Sequence, residues 1–144
     1  MRFITDCHRL NHQLVIKPYL LLRIGMNMHQ LEVFQYAKSL DLNIGYYNIS
    51  IYPASQYMTT VVTDFGELRY TRLPMGMCAL GDIFQAKLDE LLGDIEGVNA
   101  YIDDIPVLNK YSFKNHIEQL RIIFNRLKSA GLKVNAPKCS FGLK

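Results

Sequence analysis

The sequence predicts an α+β fold in which two helices back a small sheet laid down in β-α-β-β-α-β order, the ferredoxin-like arrangement. Three observations point there. Apolar residues recur at helical spacing over residues 79–92 and 112–129. Short apolar or β-favouring runs bounded by turn residues lie on either side of each helix. Between them, Tyr101-Ile102-Asp103-Asp104 sets two adjacent carboxylates at the turn joining the runs 98–102 and 105–108.

Taken in order, the coarse pattern is strand, loop, helix, strand, hairpin, helix, hairpin, helix, strand. Residues 2–5 are strand-like, and residues 40–42 form a short apolar run around Asp41. Gly45 and the β-favouring stretch 46–52 follow. Residues 58–62 and 68–73 flank Asp64-Phe65-Gly66-Glu67, a hairpin-like pair with Gly66 as the turn residue. Over residues 79–92, Ile83, Phe84, Leu88, Leu91 and Leu92 share a helical stripe that Gly93 stops. Over 112–129 the stripe is Phe113, Ile117, Leu120, Phe124 and Leu127, with Ser112 able to cap the helix and Gly131 able to end it. Residues 132–134 then supply a final strand. In such a sheet the first and third strands lie side by side in the middle, so Asp41 is expected to face the tip that carries Asp103 and Asp104.

Composition bounds the function without choosing it. A chain of 144 residues, 49% hydrophobic and 20% charged, can bury one core. A net charge of +3 permits an anionic partner without demanding one. Cys7, Cys78 and Cys139 are odd in number, widely spaced and without CxxC pairs, which predicts a reduced, intracellular chain and leaves cytoplasm or nucleus open. Cys7, His8 and His12 complete no four-ligand zinc pattern, and His29 and His116 stand alone. No apolar run is long enough to suggest a membrane span. The chain opens on a strand-like run and stops just after another apolar segment, so a piece of something longer is expected.

The carboxylates carry the chemistry. Two divalent ions about 3.5–4 Å apart need shared anionic oxygens, and one aspartate from the first strand with one from the hairpin tip can supply them. An Asp-Asp pair by itself is more often a solvated turn. Inside a Tyr-x-Asp-Asp hairpin, with a further aspartate on the adjacent strand, it is a strong signal for nucleotidyl transfer.

These residues resemble the reverse transcriptases of retroviruses and LTR retrotransposons, most closely those of Gypsy-type elements. The resemblance runs through FITDCHRLN (residues 3–11), SLDLNIGYY (39–47), RLPMGMCALGDIFQ (72–85), AYIDDIPVL (100–108) and GLKVNAPKCSF (131–141), in the family's order. It implies a polymerase palm over residues 17–48 and 80–144, interleaved with partial fingers over 1–16 and 49–79. The thumb, and the start of the fingers, are expected outside this stretch of chain.

Carried over by position, the resemblance implies that Asp41, Asp103 and Asp104 bind two Mg2+ ions, for which Mn2+ can substitute. Backbone N–H groups around Ile44 and Gly45 would hold a dNTP triphosphate, with Arg2 pairing to it from the fingers. Tyr46 would lie under the incoming sugar, Met75 and Gly76 would touch the nascent base pair, and Lys138 would protonate the leaving pyrophosphate. An RNA or DNA template with its primer is the implied partner, and no membrane is involved. Pro106 stands where the family usually carries an aliphatic residue. If its strand is central, proline is expected to remove a ladder hydrogen bond beside the metal site. The alternative is a catalytically inactive retroelement remnant with at most non-specific nucleic-acid binding.

Overall fold

The computed structural model describes residues 5–19, 34–43 and 45–143. Its elements are a short helix α1 (His8–Asn11), strand β1 (Tyr36–Asp41), the hairpin β2 (Thr60–Thr63) and β3 (Gly66–Arg69), helix α2 (Leu80–Leu92), strand β4 (Asp104–Asn109), helix α3 (Phe113–Ser129) and strand β5 (Ser140–Leu143). The main sheet has the order β4-β1-β5 and is antiparallel throughout. The first and third core strands are thus side by side, as the sequence predicts.

Alternation divides the β1–β4 ribbon into two faces. Leu40 lies opposite Ile105 and Lys38 opposite Val107, and Leu40, Ile105 and Val107 are fully buried. This face meets the helices, giving a core of Leu40, Leu42, Phe84, Leu88, Leu92, Val98, Ile105, Val107, Leu120, Ile123 and Leu127. The other face carries Ser39 opposite Pro106 and Asp41 opposite Asp104. Polar and charged side chains are tolerated there because α2 and α3 lie behind the opposite face.

Both long helices form where the apolar spacing puts them. Ser112 caps α3, its Oγ accepting the Asn115 N–H at 3.4 Å. Beyond the helix the Leu132 N–H returns to the Leu127 carbonyl at 2.9 Å, closing the last turn ahead of the next segment. The buried faces are rotated from those expected. On α3 they are His116, Leu120, Ile123 and Leu127, while Phe113, Ile117 and Phe124 are each more than a third exposed. On α2, Leu80, Phe84, Gln85, Leu88 and Leu92 face inward and Ile83 does not. A polar residue at the right angle on the helix was taken inside in each case, and counting apolar residues alone points to the wrong flank.

Four stretches differ from the expected strands. Residues 46–52 are not a strand: Gly45–Asn48 winds into a 3-10 turn, a second one runs over Pro53–Thr59, and only Ser50 bridges, to Arg72. The hairpin strands contract to Thr60–Thr63 and Gly66–Arg69 around Asp64 and Phe65. Residues 98–102 make two isolated bridges, Val98 to Val107 and Tyr101 to Asp104, instead of a continuous strand. Of residues 132–134, only Val134 bridges, to Leu42, and the last strand is β5. The strand-like run at 2–5 falls outside the described residues except for Thr5.

His116 is sealed in the core, at 0% exposure. It stacks on Tyr36, with ring centroids 5.7 Å apart, and among the described residues neither ring nitrogen has a hydrogen-bond partner. Burial, aided by the Lys38 ammonium, pushes its pKa below the ordinary 6.5. The unfolded chain therefore binds this proton more readily than the folded one. Stability should be full above about pH 6.5 and fall as pH drops through that value toward the depressed folded pKa. Urea titrations at about pH 7.5 and 5.5 should show this loss, and His116→Phe, which keeps a ring against Tyr36, should flatten it.

Candidate active site

Three backbone devices bring the acidic residues together. The first is the end of β1, where Asp41 is paired with Asp104 in register and the next residue, Leu42, donates its N–H to the Asp103 carbonyl at 2.8 Å. The second is the turn itself. Tyr101 and Asp104 exchange both backbone hydrogen bonds, at 2.7 and 2.9 Å, leaving a two-residue loop of Ile102 and Asp103. Ile102 sits at φ +52°, the first loop position, where hairpins of this size favour glycine. A β-branched residue there is strained by roughly 1–3 kcal/mol and persists only if its surroundings hold it.

The third device is the return of the chain along the far edge of β1. Asn43 donates to the Lys133 carbonyl at 2.7 Å and Asn135 donates to the Asp41 carbonyl at 2.8 Å. Ser140 then takes up pairing opposite Ser39. Between these partners the 3-10 turn Ala136–Lys138, with Pro137 inside it, leaves the ladder. That excursion carries Lys138 to the carboxylate of Asp41, Nζ to Oδ2 being 3.5 Å. It also places Cys139 behind the site, where its sulfur accepts the Asp41 backbone N–H at 3.4 Å.

The two partners of the Asp41–Lys138 pair differ in exposure: the lysine side chain is 64% exposed and the aspartate 17%. So open a lysine, at the long limit of an ion pair, adds little stability and is free to move away. The other oxygen, Asp41 Oδ1, is buried and accepts no hydrogen bond among the described residues. Asp103 Oδ1 is buried as well. An oxygen placed as Asp41 Oδ1 is, held from water without a donor, costs several kcal/mol unless a cation or proton meets it. Carboxylate oxygens are the donors that Mg2+ and Mn2+ prefer, so the chemistry of Asp41, Asp103 and Asp104 suits a hard divalent cation, although among the described residues no three acidic, histidine or cysteine side chains stand close enough together to hold one as placed.

The remaining expected residues stand elsewhere or beyond description. Met75 and Gly76 occupy a turn supported by the 5–11 segment, with the Asn11 amide donating to the Gly76 carbonyl at 2.8 Å and its side-chain oxygen accepting the Cys78 N–H at 2.9 Å. Gly76 is at φ +110°, and a Cβ there would lie 2.9 Å from the Thr5 carbonyl oxygen, so only glycine fits. Gly45 opens the 3-10 turn that follows β1, and Tyr46 lies within that turn. Arg2 and Ile44 fall outside the described residues.

Two residues that motif spacing did not single out support the backbone of the acidic end, Cys139 at Asp41 and Gln85 at the turn. Gln85 lies on α2, 4% exposed; its side-chain oxygen accepts the Ile102 N–H at 2.9 Å while its amide nitrogen donates to the Ala100 carbonyl at 2.7 Å. Its place on the inward face of α2, one residue after Phe84, is the signal that could have found it.

Pro106 does less to the sheet than its chemistry suggests. Alternation turns its backbone away from β1, toward residues 98–101, where its carbonyl accepts the Asn99 N–H at 3.2 Å. The missing donor is the one that would have returned to the Asn99 carbonyl. The β1–β4 ladder is therefore untouched, and the loss falls on the outer leg of the hairpin, which is why that leg makes isolated bridges only.

The fold is an antiparallel α+β sheet with Asp41 opposite Asp104 at one end of its open face and Asp103 in the adjoining turn. The chain belongs to the reverse transcriptase (RNA-dependent DNA polymerase) family, whose model matches residues 4–144. It is 31% identical over 142 residues to the retrovirus-related Pol polyprotein from transposon 412 of Drosophila melanogaster, covering 97% of this chain and 11% of the polyprotein. Among solved structures, native prototype foamy virus protease-reverse transcriptase superposes with a TM-score of 0.82 at 28% identity, over 99% of this chain and 19% of that one. A foamy viral protease-reverse transcriptase in complex with an RNA/DNA hybrid gives 0.78 at 25% identity, over 94% and 18%. The chain thus spans about a tenth of the polyprotein it matches and under a fifth of the viral enzyme.

Restoring a donor at position 106 should complete the outer leg. In Pro106→Val the new amide at 106 should donate to the Asn99 carbonyl and be protected from hydrogen exchange. The new bond contributes about 0.5–1.5 kcal/mol, offset in part by added freedom of the unfolded chain. Free exchange of the new amide at 106 would show that proline is not what breaks the ladder.

Proposed function

We propose that this chain is the catalytic palm, with part of the fingers, of an RNA-directed DNA polymerase from a retroelement Pol polyprotein, using two divalent cations for nucleotidyl transfer. In this assignment residues 17–48 and 80–144 form the palm, and 1–16 and 49–79 belong to the fingers. The observation that carries it is the buried, unpartnered Asp41 Oδ1, set opposite Asp104 and beside the Asp103 turn on the open face of the sheet. Family membership and the likeness to an enzyme solved with an RNA/DNA hybrid support a primed template as the partner.

Each residue then has a task. Asp41, Asp103 and Asp104 would hold the cations, which when bound would lower the pKa of a primer 3′-hydroxyl and offset charge on the dNTP phosphates. Lys138 is a cation within reach of the same carboxylate and exposed enough to follow the departing pyrophosphate, to which it donates a proton. The backbone of the turn beginning at Gly45 lies directly after Asp41 in the chain, suited with Ile44 and Arg2 to the triphosphate. Tyr46 takes the sugar side and Met75 and Gly76 the nascent base pair. The three cysteines are unpaired, which supports an intracellular setting.

A Mn2+ titration followed by primer extension on poly(rA)/oligo(dT) tests the assignment. Wild-type chain should show saturable binding that Asp103→Asn and Asp41→Asn each weaken by at least about tenfold, and any incorporation should fall with them. Incorporation or metal binding indifferent to both substitutions would sink it. A wild-type chain with no saturable site would favour the inert remnant instead.

A further inference from the structure

The strained turn needs something to hold it, and one side chain reaches it from the helix layer. Gln85 is buried beneath the hairpin and uses both ends of its amide there. Its oxygen accepts the N–H of Ile102, the residue at φ +52°, and its nitrogen donates to the carbonyl of Ala100, just before the turn. The two bonds grip the backbone on both sides of Tyr101. A shift of Ile102 to ordinary φ would turn its N–H from the acceptor and leave a buried amide unsatisfied.

The amide has a fixed orientation because of a third partner. The Gln85 nitrogen also donates to Asp89 Oδ1 at 3.1 Å, one helical turn along α2. The other oxygen of Asp89 accepts the Tyr19 hydroxyl at 2.8 Å. A carboxylate offers only acceptors, as does the Ala100 carbonyl, so the amide NH2 must point at both. Its oxygen is then the only end left for Ile102. Flipped by half a turn, the same amide would set oxygen against two acceptors and NH2 against a donor.

We propose that Gln85 is the positioning residue that holds the Ile102 turn, and with it Asp103 and Asp104, in cation-binding form, and that Asp89 sets the direction of its amide. This rests on the assignment of Asp41, Asp103 and Asp104 as cation ligands. Gln85 touches neither cation nor substrate; it acts through the backbone of residues 100–102.

Two readouts on the 144-residue chain test it: Mn2+ affinity from the electron paramagnetic resonance of free Mn2+, and the hydrogen-exchange rate of the Ile102 amide. Gln85→Met keeps the length and bulk but removes donor and acceptor. It should expose the Ile102 amide to exchange at least about fivefold faster and weaken Mn2+ binding by about 10- to 100-fold. Gln85→Glu keeps an acceptor for Ile102 but sets a carboxylate against Asp89 and should also weaken binding. Gln85→Glu with Asp89→Asn restores a donor between the two side chains and should recover part of the loss. A residue that only fills space would leave both readouts alone in Gln85→Met and show no rescue in the double variant. That result, with Asp103→Asn still abolishing binding, overturns the role of Gln85 while leaving the cation site standing. If Asp103→Asn binds Mn2+ like the wild type, the site assignment fails and the proposal falls with it. Should Gln85→Met not fold, the Glu variants decide: recovery in the double variant supports the role, and equal affinity in single and double overturns it.

Discussion

Everything at the acidic end of this molecule depends on the register between β1 and β4. Leu40 opposite Ile105 drives both into the core, and that choice alone puts Asp41 opposite Asp104 on the other face. Because side chains alternate with period two, a slip of one residue would bury the carboxylates and expose the leucine and isoleucine. Burying a branched aliphatic side chain contributes about 1.5–3 kcal/mol, and burying an unpaired carboxylate costs far more. Hydrophobic burial therefore sets the positions of the charged groups, which could not bring themselves together against their own repulsion.

Much of this was legible in the residues. The two long helices, the hairpin bearing Asp103 and Asp104, and the adjacency of Asp41 follow from periodicity and from turn-forming residues at the right places. The parts that differ are those where a single residue overrides a local pattern. Tyr46 to Tyr52 has β-favouring side chains, yet Gly45–Asn48 forms a 3-10 turn, since no strand beside it offers a ladder. Pro137 diverts the chain between two stretches that both pair with the β1 edge, so a strand expected at 132–134 resumes at Ser140. Pro106 does the reverse, keeping its place in β4 and unpicking the leg across from it.

The inward faces of the helices were the least legible. Gln85 and His116 are buried polar residues that an apolar count passes over, and they are treated differently. Gln85 is satisfied by backbone and carboxylate partners on both sides of the turn, whereas His116 has only packing and its ring contact with Tyr36. Low local dielectric strengthens a satisfied polar group and penalises an unsatisfied one. The first stiffens the hairpin, while the second makes the fold sensitive to acid.

The central place of β1 has a consequence for how the chain acquires its structure. One edge of that strand is covered by β4 and the other by β5, which begins only at Ser140. β1 is synthesised well before β5, so one of its edges must wait for the whole of the intervening chain before it is satisfied. Such long-range pairing makes for slow folding with an exposed, pairing-competent strand in the interval. The same strand that organises the finished sheet is, during synthesis, its most exposed hazard for association with another chain.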